Sequence, residues 1–222
     1  MSVFAYRLAK GVGQFIFMNT MRLKVLRPQA ARFDGPLLIA CSHLSHTDPF
    51  LLTVVVRRQI DWFARVEFWK YRLIGHGLEC LDAIAVRRFG VAASAVRTGI
   101  RRLKSGRIVG ICPEGGVTQG AQSILRGGPM KKGVCLLSYR TGVPILPCVI
   151  LGSDKLNRPG PWLPFKRARL WVGFGARLIY PESQITDRRA AREVMAGKLS
   201  REFQVLFAEV RQEFGIDEKD VP

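Results

Sequence analysis

The densest run of reactive side chains is Ser42-His43-Leu44-Ser45-His46-Thr47-Asp48-Pro49, directly after the apolar stretch 37–41. An imidazole and a carboxylate within one short segment are the parts of a general base and its orienting partner. A carboxylate on one ring nitrogen fixes the tautomer and leaves the other nitrogen to take a proton from a hydroxyl. The spacing decides how the two can meet. On a continuous helix the step from His43 to Asp48 would turn the side chains about 140° apart, so the segment must be a loop. Asp48-Pro49 supplies its end, because an N-cap followed by proline at the first helical position starts a helix and lets the loop fold His43 back. His46 reads as a packing or hydrogen-bonding residue, since neither an H-E-x-x-H pattern nor a third metal ligand accompanies it. Ser42 and Ser45 lie outside a G-x-S-x-G elbow, which makes a serine hydrolase the poorer reading.

A second cluster, Cys112-Pro113-Glu114-Gly115-Gly116-Val117-Thr118-Gln119-Gly120, also follows an apolar run. Its glycines permit close approach of backbone to a ligand. Downstream, Arg126, Lys131 and Lys132 place cations at the start of another helix, an arrangement suited to phosphate or another anion. The Gly-Lys-Ser/Thr ending of a P-loop is missing.

Alternating short apolar runs and helical periods must position these clusters. Strands are expected over 37–41, 60–66, 82–86, 108–112, 145–150 and 170–174, and helices over 49–56, 92–104, 132–141 and 187–214. Such alternation indicates an α/β fold, and α/β sites form at strand ends. The last helix repeats Ala191, Met195, Leu199, Phe203, Phe207 and Val210 on one face and ends at Gly215. Residues 3–22 form an amphipathic helix, with Phe4, Leu8, Val12, Phe15 and Ile16 on one arc and Arg7, Lys10 and Gln14 opposite. The organisation expected is therefore an N-terminal interfacial helix over 1–25 and one domain over 26–222.

Composition narrows the partners. Thirty-five Lys and Arg against seventeen Asp and Glu leave a formal charge of +18, which attracts anionic lipid or nucleic acid. No helix-turn-helix, zinc-finger or RNA-recognition signature is present and the basic residues are dispersed, so no nucleic-acid partner is expected. Cys41, Cys80, Cys112, Cys135 and Cys148 are odd in number and lack a C-x-x-C pair, as expected of reduced core residues in a cytoplasmic setting without a metal. No run of eighteen apolar residues would span a bilayer, and 11–21 lacks a small-residue cleavage site, so any membrane is met from one side. Trp162, Leu163 and Phe165 beside Lys166 and Arg167 add an aromatic-basic combination suited to an interface.

With these residues in view, the chain resembles the glycerolipid acyltransferases, which acylate glycerol 3-phosphate and lysophosphatidate. His43 and Asp48 are similar to that family's first block, a His and an Asp separated by four residues. Ala85-Val86-Arg87-Arg88 is similar to the second, implicating Arg88 and then Arg87 in binding a phosphorylated acceptor. Pro113-Glu114-Gly115 resembles the third, whose Glu and Gly line the acceptor site, and Val143-Pro144-Ile145-Leu146-Pro147 the fourth. The chain departs from the family at Gly116 and Val117, where Thr or Ser and then Arg are usual, and Arg126, Lys131 or Lys132 are the candidates to replace that cation.

The resemblance implies a glycerol-3-phosphate acyltransferase-like single domain with a mixed central sheet flanked by helices. It implies direct transfer from acyl-CoA or acyl carrier protein to a lysophospholipid, with 1-acylglycerol 3-phosphate the leading acceptor and no cofactor. With the cysteine usage, the basic charge and the lack of a spanning run, the expected place is the cytoplasmic face of an anionic membrane, as a peripheral or monotopic enzyme. The competing readings are an acyltransferase for another lyso-lipid head group, a non-catalytic basic lipid- or nucleic-acid-binding protein, and a lipid hydrolase using the same histidine.

Overall fold

Leu37–Cys41 (β2) and Ile145–Leu151 (β6) are uninterrupted apolar runs buried along their whole length. Strands covered on both faces take this form, because every side chain needs an apolar neighbour whichever way it points. The computed structural model describes residues 6, 10–15, 19, 21–87, 93–157, 168–180, 187–217 and 221. Its remaining strands are Met21–Leu26 (β1), Ile60–Arg65 (β3), Ile84–Val86 (β4), Ile108–Ile111 (β5) and Ala168–Phe174 (β7). Together they make a seven-stranded sheet in the order β1-β7-β6-β2-β5-β3-β4.

The strands from β6 to β4 run parallel to their neighbours, whereas β7 is antiparallel to β6 and parallel to β1. The sheet is therefore mixed, as the family resemblance implies. Parallel pairs require crossovers, and the helices supply them. These are Asp48–Val55 (α1), Arg72–Cys80 (α2), Ala93–Lys104 (α3), Gly133–Thr141 (α4) and Arg188–Phe214 (α5). Alternate β2 residues serve two cores. Leu38 and Ala40 pack with α3, α4 and α5, while Leu37, Ile39 and Cys41 pack with Leu51, Leu52 and Val56 of the α1 side.

The expected C-terminal helix is present over Arg188–Phe214, with Asp187 accepting a hydrogen bond from Arg189 N at 2.8 Å and Gly215 closing it in the left-handed region. Its apolar stripe from Ala191 to Val210 is buried. At about 1.5–3 kcal/mol for each large side chain removed from water, that stripe is a main attachment of the sheet's second face.

Two elements differ from expectation. The helix over 3–22 cannot reach residue 22, because Met21–Leu26 is the edge strand β1. Its burial does not alternate, since pairing to β7 holds it mainly through the backbone. Arg72–Cys80 is a helix despite Gly75 and Gly77, and Leu73 on it is 89% exposed. Tertiary packing explains it: Gly75 lies so close to the Trp69 backbone that a Cβ would approach within 3.2 Å. The Trp162 to Arg167 segment and Arg88 lie outside the described residues.

Opposite the strand C-terminal ends, a charge cluster braces the sheet. Asp61 of β3 is buried and faces Arg102 at 3.1 Å and Arg107 at 2.5 Å, and both arginines also reach Asp82.

Candidate active site

At the end of β2 the chain stays tied to β6: Ser42 N donates to Cys148 O at 3.0 Å, and Ser42 Oγ accepts from Ile150 N at 2.9 Å. That buried hydroxyl is committed to the sheet, in keeping with the low expectation for it as a nucleophile. The chain then turns out of the sheet at His43 and returns as α1. The helix begins one residue earlier than expected, with Thr47 in place of Asp48 as N-cap and Asp48 as its first residue.

Asp48 is buried and its carboxylate points back into the loop. Oδ2 accepts from Ser45 N at 2.7 Å and lies 3.3 Å from His43 Nδ1. In the neutral ring Nδ1–H is therefore the donor to Asp48, and Nε2 carries the lone pair. The His43 side chain keeps 13% of its surface exposed. Four amides around the helix start, those of Ser45, Thr47, Asp48 and Leu51, bond to protein acceptors, and Pro49 has no N–H. Among the described residues of this helix start, the N–H groups of His46 and Phe50 remain as candidates to stabilise an oxyanion.

The second cluster lies against the first. His43 N donates to Glu114 Oε2 at 2.6 Å, and Thr118 N donates to His43 O at 3.0 Å. Glu114 Oε1 accepts from Thr118 Oγ1, from Ser123 Oγ at 3.2 Å and from Ile124 N at 3.1 Å. Burial raises its pKa, and these donors, led by Thr118, partly offset that rise. The carboxylate expected to line an acceptor site thus joins the histidine loop to the 118–124 segment. Sequence cannot show this, because all four donors meet only in the folded chain.

Two cations converge on Gly115 and Gly116. Arg65, the last residue of β3, donates from Nη2 to Gly115 O at 3.1 Å, and a Cβ on Gly116 would come within 2.7 Å of the same nitrogen. Lys131 Nζ would lie 2.5 Å from a Cβ on Gly115, whose φ of +73° also favours glycine. Of the other basic candidates, Lys132 pairs with Glu193 of α5, Arg126 closes a 3-10 turn that packs on α5, and Arg87 is exposed just past edge strand β4, next to Val86, the register partner of Arg65. Arg65 carried no motif, and the signal for it was its position at the end of a strand. An open cleft of about 490 Å³ adjoins the loop, with Ser45, His46 and Thr47 on one side and Val117 and Gln119 among the residues opposite.

Charge within the site is governed by a sulfur as well as by Asp48. Cys112 was expected to be an inert core thiol. Burial opposes a charge on His43, yet the Cys112 sulfur first and then Asp48 outweigh it, lifting the imidazole to about 10. Cys112 itself is lowered to about 6, chiefly by its hydrogen bond from Cys41, with His43 adding to the effect against burial. The paired shifts describe one proton that the ring holds beside a Cys112 thiolate. His46 stacks edge-on to His43 and Phe68, with ring centroids 6.0 and 6.1 Å away, and burial followed by repulsion from His43 and Arg65 lowers its pKa. All five cysteines are free thiols, and among the described residues no group of His, Cys, Asp and Glu is arranged to hold a metal.

The family model described as Acyltransferase matches residues 22–151, which include both clusters and Arg65. A 1-acyl-sn-glycerol-3-phosphate acyltransferase of Bacillus subtilis is 30% identical over 133 residues, 60% of this chain and 64% of that protein. The chloroplastic 1-acyl-sn-glycerol-3-phosphate acyltransferase of Brassica napus is 22% identical over 129 residues, 57% of this chain and 36% of its own length. The chain thus spans less than two thirds of each of these relatives. The crystal structure of the 1-acyl-sn-glycerophosphate acyltransferase PlsC from Thermotoga maritima shares the fold, with a TM-score of 0.68 at 21% identity over 90% of this chain and 79% of that one.

Proposed function

The chain belongs to the acyltransferase family, and from that premise we propose that it moves a fatty-acyl group from a thioester, acyl-CoA or acyl carrier protein, to the hydroxyl of a lysophospholipid. The acceptor is 1-acylglycerol 3-phosphate, the substrate named for the Bacillus subtilis and Brassica napus relatives. The observation that carries the reading is the His43 ring, held by buried Asp48 at 3.3 Å and still 13% exposed.

In this mechanism Asp48 keeps the proton on Nδ1, and Nε2 accepts the proton of the acceptor hydroxyl as its oxygen attacks the thioester carbon. The tetrahedral intermediate collapses to the ester, the carbon–sulfur bond breaks, and His43 returns its proton to the departing thiolate. A positioned base of this kind is typically worth about 100-fold or more. Because Cys112 shares the resting proton, the reactive state is the one with a neutral ring and a protonated thiol. Arg65 and Lys131, convergent on Gly115 and Gly116, receive the acceptor phosphate in place of the cation absent at Val117.

The same reading puts the protein peripherally on the cytoplasmic face of an anionic membrane. Lys10 Nζ donates to Val56 O and Arg57 O at 2.5 and 2.8 Å, and Gln14 Nε2 to Val54 O at 3.3 Å, so the polar side of helical residues 10–15 docks on the end of α1. Val12 and Phe15 are left 52% and 72% exposed, an apolar face suited to lipid. Among the described residues no helix is long and apolar enough to cross a membrane.

The test is a panel of lysolipids presented in vesicles with labelled acyl thioester. Ester formation on 1-acylglycerol 3-phosphate, with acceptor KM raised about tenfold or more in Arg65→Gln, is the expected result. Release of free fatty acid at the same rate with and without acceptor would reject transferase action.

A further inference from the structure

Three cysteines lie in a row across the centre of the sheet. Cys41 is in register with Cys148 on β6, while on β5 the pairing of Ala40 with Ile111 puts Cys112 at the next rung beside Cys41. The contact is uneven: Cys41 Sγ is 3.2 Å from Cys112 Sγ. Cys41 and Cys148 are wholly buried, whereas Cys112 is partly exposed at the strand end. His43 follows Cys41 by two residues and Glu114 follows Cys112 by two, so the thiol pair underlies both halves of the site.

We propose that Cys41 and Cys112 are an oxidisable dithiol, a modification site that takes a hydroperoxide as its reagent and closes to a disulfide between β2 and β5. The sulfurs need approach each other by only about 1 Å to reach bonding distance. The two thiols also divide the roles that such a reaction requires. Cys41 donates its hydrogen bond and is kept protonated by burial, and Cys112, lowered to about 6 first by that bond and then by His43, is the thiolate.

The chemistry balances in two steps. The Cys112 thiolate attacks one oxygen of ROOH, the O–O bond breaks, and the departing alkoxide takes a proton to leave as ROH, with Cys112 now a sulfenic acid. The Cys41 thiol then attacks that sulfur, the S–O bond breaks and water leaves, so two thiols have been oxidised and one peroxide reduced. The new bond would draw the Cys112 sulfur from the His43 ring and tie together the strand ends that carry the two clusters.

The experiment uses the full reduced chain with hydrogen peroxide, read by intact mass and by non-reducing peptide mapping, and does not depend on acyl transfer. Expected are a loss of about 2 Da reversed by dithiothreitol and a crosslinked peptide joining Cys41 to Cys112. In Cys41→Ser the expected product is a Cys112 sulfenic acid trapped by dimedone. Two unreacted thiols at peroxide levels that oxidise free cysteine, or a bond mapped to Cys148 or another pair, would overturn the proposal. If the serine variant does not fold, the wild-type map decides alone.

Discussion

Replacing Glu114 by glutamine separates a clamp from a substrate ligand. The carboxylate accepts from two backbone amides, His43 N at 2.6 Å and Ile124 N at 3.1 Å, on different oxygens. Glutamine has one acceptor oxygen, so in either orientation its NH2 group faces one of these N–H donors. The hydroxyls of Thr118 and Ser123 can rotate to accept from an amide, but a backbone N–H cannot. One charge-assisted bond is therefore lost, at a cost of about 1.5–3 kcal/mol. For a chain of this length each kcal/mol lowers Tm by about 2–4 °C, so Glu114→Gln should melt roughly 3–12 °C lower. Because the His43 loop is loosened, kcat should fall while KM for the acceptor changes little. Thermal unfolding and initial rates on the same preparation test this. An unchanged Tm with a raised acceptor KM would refute the clamp and return Glu114 to the acceptor site.

The site and the brace give two further outcomes. A base works only unprotonated, so with His43 lifted to about 10 the wild-type kcat/KM should climb with pH into the alkaline range. In Cys112→Ser the strongest influence raising that pKa is gone, and the acid limb should move to lower pH by about one unit or more; a limb that stays in place would detach the sulfur from the ring. At the far end of the sheet, Asp61→Ala leaves Arg102 and Arg107 with only Asp82, and breaking such a buried pair costs about 3–5 kcal/mol. Its Tm should fall with both KM values unchanged, and an unaltered Tm would show the cluster to be dispensable.

The central strands were legible in sequence because parallel strands buried on both faces are continuous apolar runs, as 37–41 and 145–150 are. The long C-terminal helix was legible for a related reason, since only one face meets the core and its period survives. Strand β1 was not, because backbone pairing to β7 holds it without an alternating side-chain pattern, and helix α2 was not, because Gly75 and Gly77 argue against a helix and the contact of Gly75 with Trp69 forms only in the folded chain. Within the site, the meeting of His43 and Asp48 followed from their spacing and the proline after Asp48. The inward turn of Glu114, the approach of Arg65 to Gly115 and the contact between Cys41 and Cys112 each join residues more than thirty positions apart. No local pattern encodes such meetings. Lys132 shows the converse: its charge suited an anion site, and the fold gave it Glu193.

The most direct measurement is the initial rate of acyl transfer to 1-acylglycerol 3-phosphate by wild type and His43→Ala at matched folding, with Tm as the control. Loss of kcat by about 100-fold or more at unchanged Tm is the predicted result. Turnover within a few-fold of wild type would mean that another group takes the hydroxyl proton, and the proposed mechanism would be wrong.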